Sequence, residues 1–351
     1  MVGFIGRRIL YMFPLLLVVT LIIFLLMKLQ PGDVVDVLCG LNCSSDLRAH
    51  LKEKYGLNSP WTQQYLTWLY GIVGQPGLNY DESGNIIFPF VSISTPDFGY
   101  SPRMNMTALQ VLIGENRWMY TLMLLLVSMV ISWLIAIPIG IYSATHKYSS
   151  GDHLFTFLGF VGLSVPNFIL ALLFMWVVVI IFRLGQVDQF FGVGGFYNYP
   201  YDQAPMSFMK FLNFLWHFMP PVLILAAANT SAIIRYMRAS LLDVLSLAYV
   251  QTARAKGLKE HIVVYKHAVR NAINPLISML GFWIPYMMEG ALVVAVAFNL
   301  PQIEKSFFDG ISNRDYAVVV SGLFLFSVIL MVGNLISDIL LALSDPKIRY
   351  D

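Results

Sequence analysis

Residues 249–276 read Tyr-Val-Gln-Thr-Ala-Arg-Ala-Lys-Gly-Leu-Lys-Glu-His-Ile-Val-Val-Tyr-Lys-His-Ala-Val-Arg-Asn-Ala-Ile-Asn-Pro-Leu. The stretch is basic and amphipathic, and it lies between two long apolar runs. Across 235–274 the basic residues are Arg235, Arg238, Arg254, Lys256, Lys259, Lys266 and Arg270, against Asp243 and Glu260, a net charge of +5 without histidines. The spacing predicts a short polar helix over 250–256, a turn at Gly257, and a second helix over about 259–271. Glycine reaches left-handed backbone angles without steric cost. The second helix is expected to place Ile262, Val263, Tyr265, Ala268 and Val269 on one side. Pro275 suits the first turn of the next helix, where its missing N–H is not needed. The segment reads either as an ordered docking surface or as a loop whose charge fixes topology.

Outward from this stretch the chain is apolar. Of 351 residues, 58% are hydrophobic and only 12% charged, against about 25% charged in soluble domains. The composition is that of an all-α polytopic membrane protein, and a net charge of +2 gives no pointer to nucleic acid. A span needs about 20 apolar residues. Six candidates meet this, at about 8–29, 118–143, 154–183, 218–238, 276–299 and 316–343. The third is long enough to be tilted or extended. The first keeps no small-x-small cleavage site after it, only Lys28, Gln30 and Pro31, so it reads as a retained helix.

Basic residues set orientation. Arg7 and Arg8, His146 and Lys147, the 235–274 loop, and Lys347 and Arg349 fall on one side of a six-span chain. That side is expected to be cytoplasmic, with both termini there. The chain then divides into an N-terminal segment with the first span (1–29), an extracytoplasmic region (30–117) and a core of the remaining five spans with the 235–274 loop (118–351). In the outer region 44–56 and 61–73 predict short amphipathic helices, and 78–102 is rich in turn formers and aromatics without a clear period. The outer segments read as a cap or as ordered linkers.

Few residues point to chemistry. Glu289 lies within the fifth span, where a carboxylate is costly and faces a cavity or a partner. It lines a path, or it is a structural carboxylate bonded to a neighbouring helix. Asn229 is a weaker path candidate in the fourth span, because Asn commonly joins membrane helices. Cys39 and Cys43 are expected outside, where a disulfide between them is favoured over two free thiols. No phosphate-cradling Gly-x-x-x-x-Gly-Lys-Ser/Thr occurs, nor His-Glu-x-x-His or Gly-x-Ser-x-Gly. His261 and His267 lack metal-ligand company. No catalytic, cofactor or metal site is therefore expected in this chain.

The Gln251-Thr252-Ala253-x-x-x-Gly257 spacing resembles the Glu-Ala-Ala signature loop of ABC importer permeases. Thr252-Ala-Arg-Ala-Lys-Gly-Leu258, His267-Ala-Val-Arg-Asn-Ala272 and Arg235-x-x-Arg-Ala-Ser-x-Leu-x-Val-Leu245 are similar to the dipeptide/oligopeptide/nickel branch. So are Gly3-x-x-x-Arg-Arg-Ile-Leu10, Leu29-Gln-Pro-Gly-Asp33, Tyr55-Gly-Leu57 with Pro60, and Ser344-Asp-Pro-Lys-Ile-Arg-Tyr350. The resemblance covers nearly the whole chain and is closest to the first permease of that branch.

It implies a six-helix type I importer domain with enlarged outer loops, forming half of a path for short peptides. The implied partners are a second permease, two ABC ATPases that bind ATP and Mg, an extracytoplasmic solute-binding protein and the lipid bilayer. The coupling helix, about 250–262, is implied to contact the ATPase through Gln251, Thr252, Ala253, Arg254, Lys256, Gly257 and Leu258. Oligosaccharide, and further off nickel, stand as alternative cargoes, and an ion-coupled secondary transporter as a rival class. The chain departs from the branch at Gln251, at Ala295-Val-Ala-Phe298 with Pro301-Gln302, at Glu289, and in an apparent insertion over about 78–97.

Overall fold

The computed structural model describes residues 2–29, 35, 44–54, 56–73, 76–80, 86–93, 98–101, 103–181 and 191–344. Cys39 and Cys43 lie outside the described residues, as does the end of the predicted third span. The helices are α1 (Val2–Leu29), α2 (Ser45–Lys54), α3 (Trp61–Val73), α4 (Ala108–Ile113), α5 (Arg117–Thr145), α6 (Ser150–Ser164), α7 (Asn167–Trp176) and α8 (Phe208–Leu245). Residues 248–272 form α9 (Ala248–Ala255), α10 (Glu260–Ile262), a π-helical turn (Val263–Ala268) and α11 (Val269–Ala272). α12 (Asn274–Ala297), α13 (Ile303–Ser312) and α14 (Tyr316–Ser344) follow among the described residues.

Four described helices are long and apolar enough to cross a bilayer: Gly6–Leu26, Ala108–Thr145, Phe208–Leu245 and Tyr316–Ala342. The predicted third span is not one tilted rod. It is the pair α6 and α7, bent by 93° across a short break. The cause is Pro166, which lacks a donor and pushes Val165 to extended angles. The predicted fifth span falls in α12, whose described apolar portion is Tyr286–Ala297. The predicted outer helices stand as α2 and α3. The aperiodic 78–102 region instead holds an antiparallel pair, Pro76–Tyr80 against Ile86–Ile93, in register Leu78↔Val91. Ile86-Ile-Phe-Pro-Phe-Val-Ser-Ile93 is rich in β-branched and aromatic residues, which fit a pleated surface.

The chain forms two compact units. One comprises residues 10–118 and 306–328. Within it α3 packs on α1 through Phe24, Tyr65 and Trp68, and the Tyr65 hydroxyl donates to the Leu17 carbonyl. Thr107 and Gln110 form a capping box that starts α4. Arg117 donates to Ser306, and Ser321 to the Phe98 carbonyl.

The other unit comprises 1–9, 119–305 and 329–351. Its axis is α8, which packs against α6, α7 and α12. Small residues permit close approach. A Cβ on Gly140 of α5 would lie 2.7 Å from the Met237 Cβ of α8. A bidentate ion pair joins the start of α6 to α8. Arg238 donates from Nε and Nη2 to the two Asp152 oxygens, both at 2.8 Å, and the Tyr148 N–H adds a third bond at 2.9 Å. Asp152 is buried. At the far end of α12, Thr121 donates to Glu304 at 2.6 Å and accepts from the Ile303 N–H, while Gln302 donates to the Tyr120 carbonyl. Glu304 is fully enclosed, and burial pushes its carboxyl up to about 6, against the opposing pull of Thr121.

Two expectations follow. Removing Arg238 strands the enclosed Asp152 carboxylate, and stranding a buried charge costs about 3 kcal/mol. Arg238→Ala should therefore lower the melting temperature of the detergent-solubilised protein strongly, while Asp152→Leu with Arg238→Met recovers most of the loss. A melt in which the double variant is as weak as the single one would refute this account. Second, Glu304 holds its proton to higher pH when folded than at its ordinary 4.5. Its contribution is thus fully present below 4.5 and is lost as pH rises through about 6, by roughly 2 kcal/mol. The difference in stability between the protein and Glu304→Gln, measured from pH 4.5 to 7, should show this slope. An unchanging difference would count against it.

Candidate functional site

The 248–272 segment is a folded plate. Val250, Ala253, Val263, Val264, Ala268 and Ala272 are buried in one apolar cluster with Ile141 and Ala144 of α5 and Ile233, Ile234, Met237 and Leu241 of α8. Each of the buried Val250, Val263 and Val264 side chains contributes about 1.5–3 kcal/mol, so the inner face is held by packing. Polar ties reinforce it. Ser240 donates to the Ala272 carbonyl at 2.8 Å, and Asn271 to the Tyr249 hydroxyl at 2.7 Å.

Tyr265 departs from its expected place. It is exposed, and Val264 is buried instead. In an α-helix Ile262 and Tyr265 would share a face. The π turn over 263–268 has wider i→i+5 closure, which carries Tyr265 off that face and turns the Val263–Val264 pair inward.

The turn at Gly257 has a definite geometry. The Gly257 N–H donates to the Arg254 carbonyl at 2.9 Å and the Leu258 N–H to the Ala253 carbonyl at 3.4 Å. This is the Schellman pattern that closes a helix with a left-handed residue. Gly257 has φ +77°, and nothing lies within 4 Å of where a Cβ would be. Backbone angle alone, not space, demands glycine here.

Around that turn Gln251, Thr252, Lys256, Gly257 and Leu258 are exposed, Arg254 is half-buried, and Ala253 faces the core. Arg254 is bidentate to Glu260, at 2.7 Å from Nη2 and 3.2 Å from Nε to Oε1. The Arg254 guanidinium holds the Glu260 carboxyl below its ordinary value. This pair braces α9 against α10 across the turn. Gln251, at the signature's acidic position, donates its amide to the Leu245 carbonyl at 3.0 Å. An ionised glutamate accepts only and cannot make that bond.

The two path candidates are not brought together. Asn229 is buried and donates to the Leu225 carbonyl of its own helix at 2.9 Å. Glu289 is exposed on α12, on one stripe with Tyr286 and Val293. Sequence reasoning missed the Asp152–Arg238 pair and the buried Glu304. The signal for the first was an arginine inside the predicted fourth span, which demands a partner.

The chain matches, over residues 136–350, the family described as binding-protein-dependent transport system inner membrane component. Residues 1–125 match the N-terminal membrane component of the same systems. It is 36% identical over the full length of both chains to an oligopeptide transport system permease protein, AppB, of Bacillus subtilis. It is 30% identical, again over both full lengths, to a dipeptide transport system permease protein, DppB, of Alkalihalophilus pseudofirmus. A glutathione transport system permease protein, GsiC, of Salmonella paratyphi A is 31% identical over both full lengths. With an all-α, multi-span architecture and the signature loop folded against its helices, the chain belongs to the family of inner membrane components of binding-protein-dependent ABC transport systems.

Proposed function

We propose that this chain is one of two permease subunits of an ATP-driven peptide importer, and that it couples through the surface around Gly257. The observation that supports this most is the turn itself. A rigid, core-anchored plate presents Gln251, Thr252, Lys256, Gly257 and Leu258 on its outer side. Both termini and this plate lie on the cytoplasmic side, in keeping with the basic residues. Two separate ATPase subunits bind and hydrolyse ATP there. Closure of the ATPases displaces the plate, and because its inner face is packed into α5 and α8, those helices follow. Packed interiors switch between discrete arrangements rather than deforming continuously.

The cargo assignment rests on the relatives, whose names specify oligopeptide, dipeptide and glutathione transport. A solute-binding protein delivers the peptide to the outer side, and the second permease completes the path. Glu289 faces that path. Its carboxylate, well inside a span, is exposed on this chain, and lipid contact at that depth costs about 2.5–3.5 kcal/mol for a charged group. Asn229 is satisfied within its own helix and plays no part in the lining.

The test is a pair of substitutions with opposite expectations. Valine in the left-handed region is strained by more than the roughly 1–2 kcal/mol of an ordinary residue, whereas asparagine adopts it readily. In proteoliposomes holding the assembled transporter, Gly257→Val should cut ATP-dependent tripeptide uptake at least tenfold while the chain still inserts and ATP is still bound. Gly257→Asn should keep most of it. Normal uptake by the valine variant would defeat the coupling assignment.

A further inference from the structure

The stripe of α12 that contains Glu289 has a composition that the importer reading does not by itself explain. Tyr286, Glu289 and Val293 stand at i, i+3 and i+7, one face of the helix, and all three are exposed, Tyr286 by 52% and Val293 by 36%. The rotation of this face is fixed. Met287, Met288, Ala291, Val294 and Ala295 on the other side are buried, the last three completely among their neighbours. Gly290 locks the same level, since a Cβ there would lie 2.5 Å from the Asn167 amide nitrogen and 3.2 Å from a Leu225 methyl. Glu289 therefore stands on the face turned away from these packed neighbours.

Its depth matters as much. Eight residues separate it from the end of α12 at Ala297, about 12 Å at 1.5 Å per residue. That is too far for a glutamate side chain to reach the interface. Asn167, whose amide meets Gly290, opens α7 immediately after the 93° break in its span. The Asn167 Oδ1 is buried and has no hydrogen-bond partner. A broken span beside an intramembrane carboxylate is the arrangement by which membrane proteins present polar groups to a solute.

A carboxylate and an aromatic ring one helical turn apart form a pair of attractors for an organic cation: charge from one, the ring quadrupole from the other. Short peptides at neutral pH all carry one such group whatever their side chains, the α-ammonium. We propose that Glu289, with Tyr286, is a cargo-contacting site that takes the α-ammonium of a peptide in transit. The inference rests on the reading of this face as part of the translocation path. It accounts for a glutamate kept in a span that is otherwise apolar. The exposed setting keeps the attraction moderate, so the peptide is oriented without being retained.

Two reagents separate the inference from the reading beneath it. In the reconstituted transporter, Val293→Cys is treated with a cationic trimethylammonium-ethyl thiosulfonate and with its anionic sulfonatoethyl counterpart. Modification is read by mass spectrometry on the peptide containing residue 293. A unit charge one turn away at near-water dielectric favours a cation about threefold and disfavours an anion about threefold, about a tenfold bias between them. The cationic reagent should react about tenfold faster than its anionic counterpart, relative to their rates with a free thiol. Trialanine should slow that reaction. In Val293→Cys with Glu289→Gln the bias should collapse towards one and protection by trialanine should weaken. Glu289→Gln alone should lower trialanine uptake at subsaturating peptide about tenfold, and Glu289→Asp should retain most of it. If neither reagent reaches residue 293, this face is not in an aqueous path and both readings fall. If both react but the bias survives Glu289→Gln, the path stands and the ammonium site is overturned.

Discussion

Burial of the inner side of the 248–272 plate is the constraint on which the rest depends. Val250, Ala253, Val263, Val264 and Ala268 share one apolar cluster with residues of α5 and α8. A surface loop tethered only at its ends would move independently of the helices it connects. Here any displacement of α9 must either carry Met237, Leu241 and Ile141 with it or open a cavity. Opening one costs more than the transfer of the exposed atoms alone. The Gly257 turn sets the angle at which the outer side stands, and the Arg254–Glu260 pair spans that turn. Packing supplies stiffness, while the turn supplies shape.

A second constraint comes from polar groups inside the spans. Most are satisfied locally. Ser132, Ser231 and Asn229 donate to the carbonyl four residues back, and Ser337 of α14 reaches the Ile277 carbonyl of α12. Such bonds are modest helix glue in membranes. Asp152 and Glu304 are charged-residue versions of the same economy, each enclosed and each bonded to an adjacent segment. Glu289 is the contrast. Its helix is rotationally fixed by Ala291, Val294 and Ala295, and its side chain points away from this chain. On the proposed reading water and cargo meet it there.

Much of this was legible in the sequence, for physical reasons. Long apolar runs report membrane-crossing helices because charge is expelled from hydrocarbon. Gly257 was readable because one residue type fits its backbone angle, and α2 and α3 because Pro60 and an amphipathic period mark their bounds. Three features were not so readable. The 93° break needed Pro166 to be weighed against an otherwise unbroken apolar run, and a long run argues for a straight span. The β pair at 76–93 was masked by a window that mixed its strands with the turn formers between them. The placement of Tyr265 failed because a π turn shifts the phase of a helix, and nothing in Val263-Val-Tyr-Lys-His-Ala268 announces i→i+5 closure.

Gln251 shows how a departure from a signature can be absorbed without loss of the fold. An acid at this position would present negative charge on a surface otherwise lined by Arg254, Lys256 and Lys259. The glutamine instead turns its amide back to the Leu245 carbonyl, an acceptor left over near the end of α8. That bond ties the start of α9 to the helix it follows. The outer surface becomes more uniformly basic as a result, and Arg254 already spends its fork on Glu260. On the proposed coupling reading, recognition then draws on Lys256, Lys259 and the contour around Gly257 more than on a single acid–base contact, and an acidic partner surface complements it.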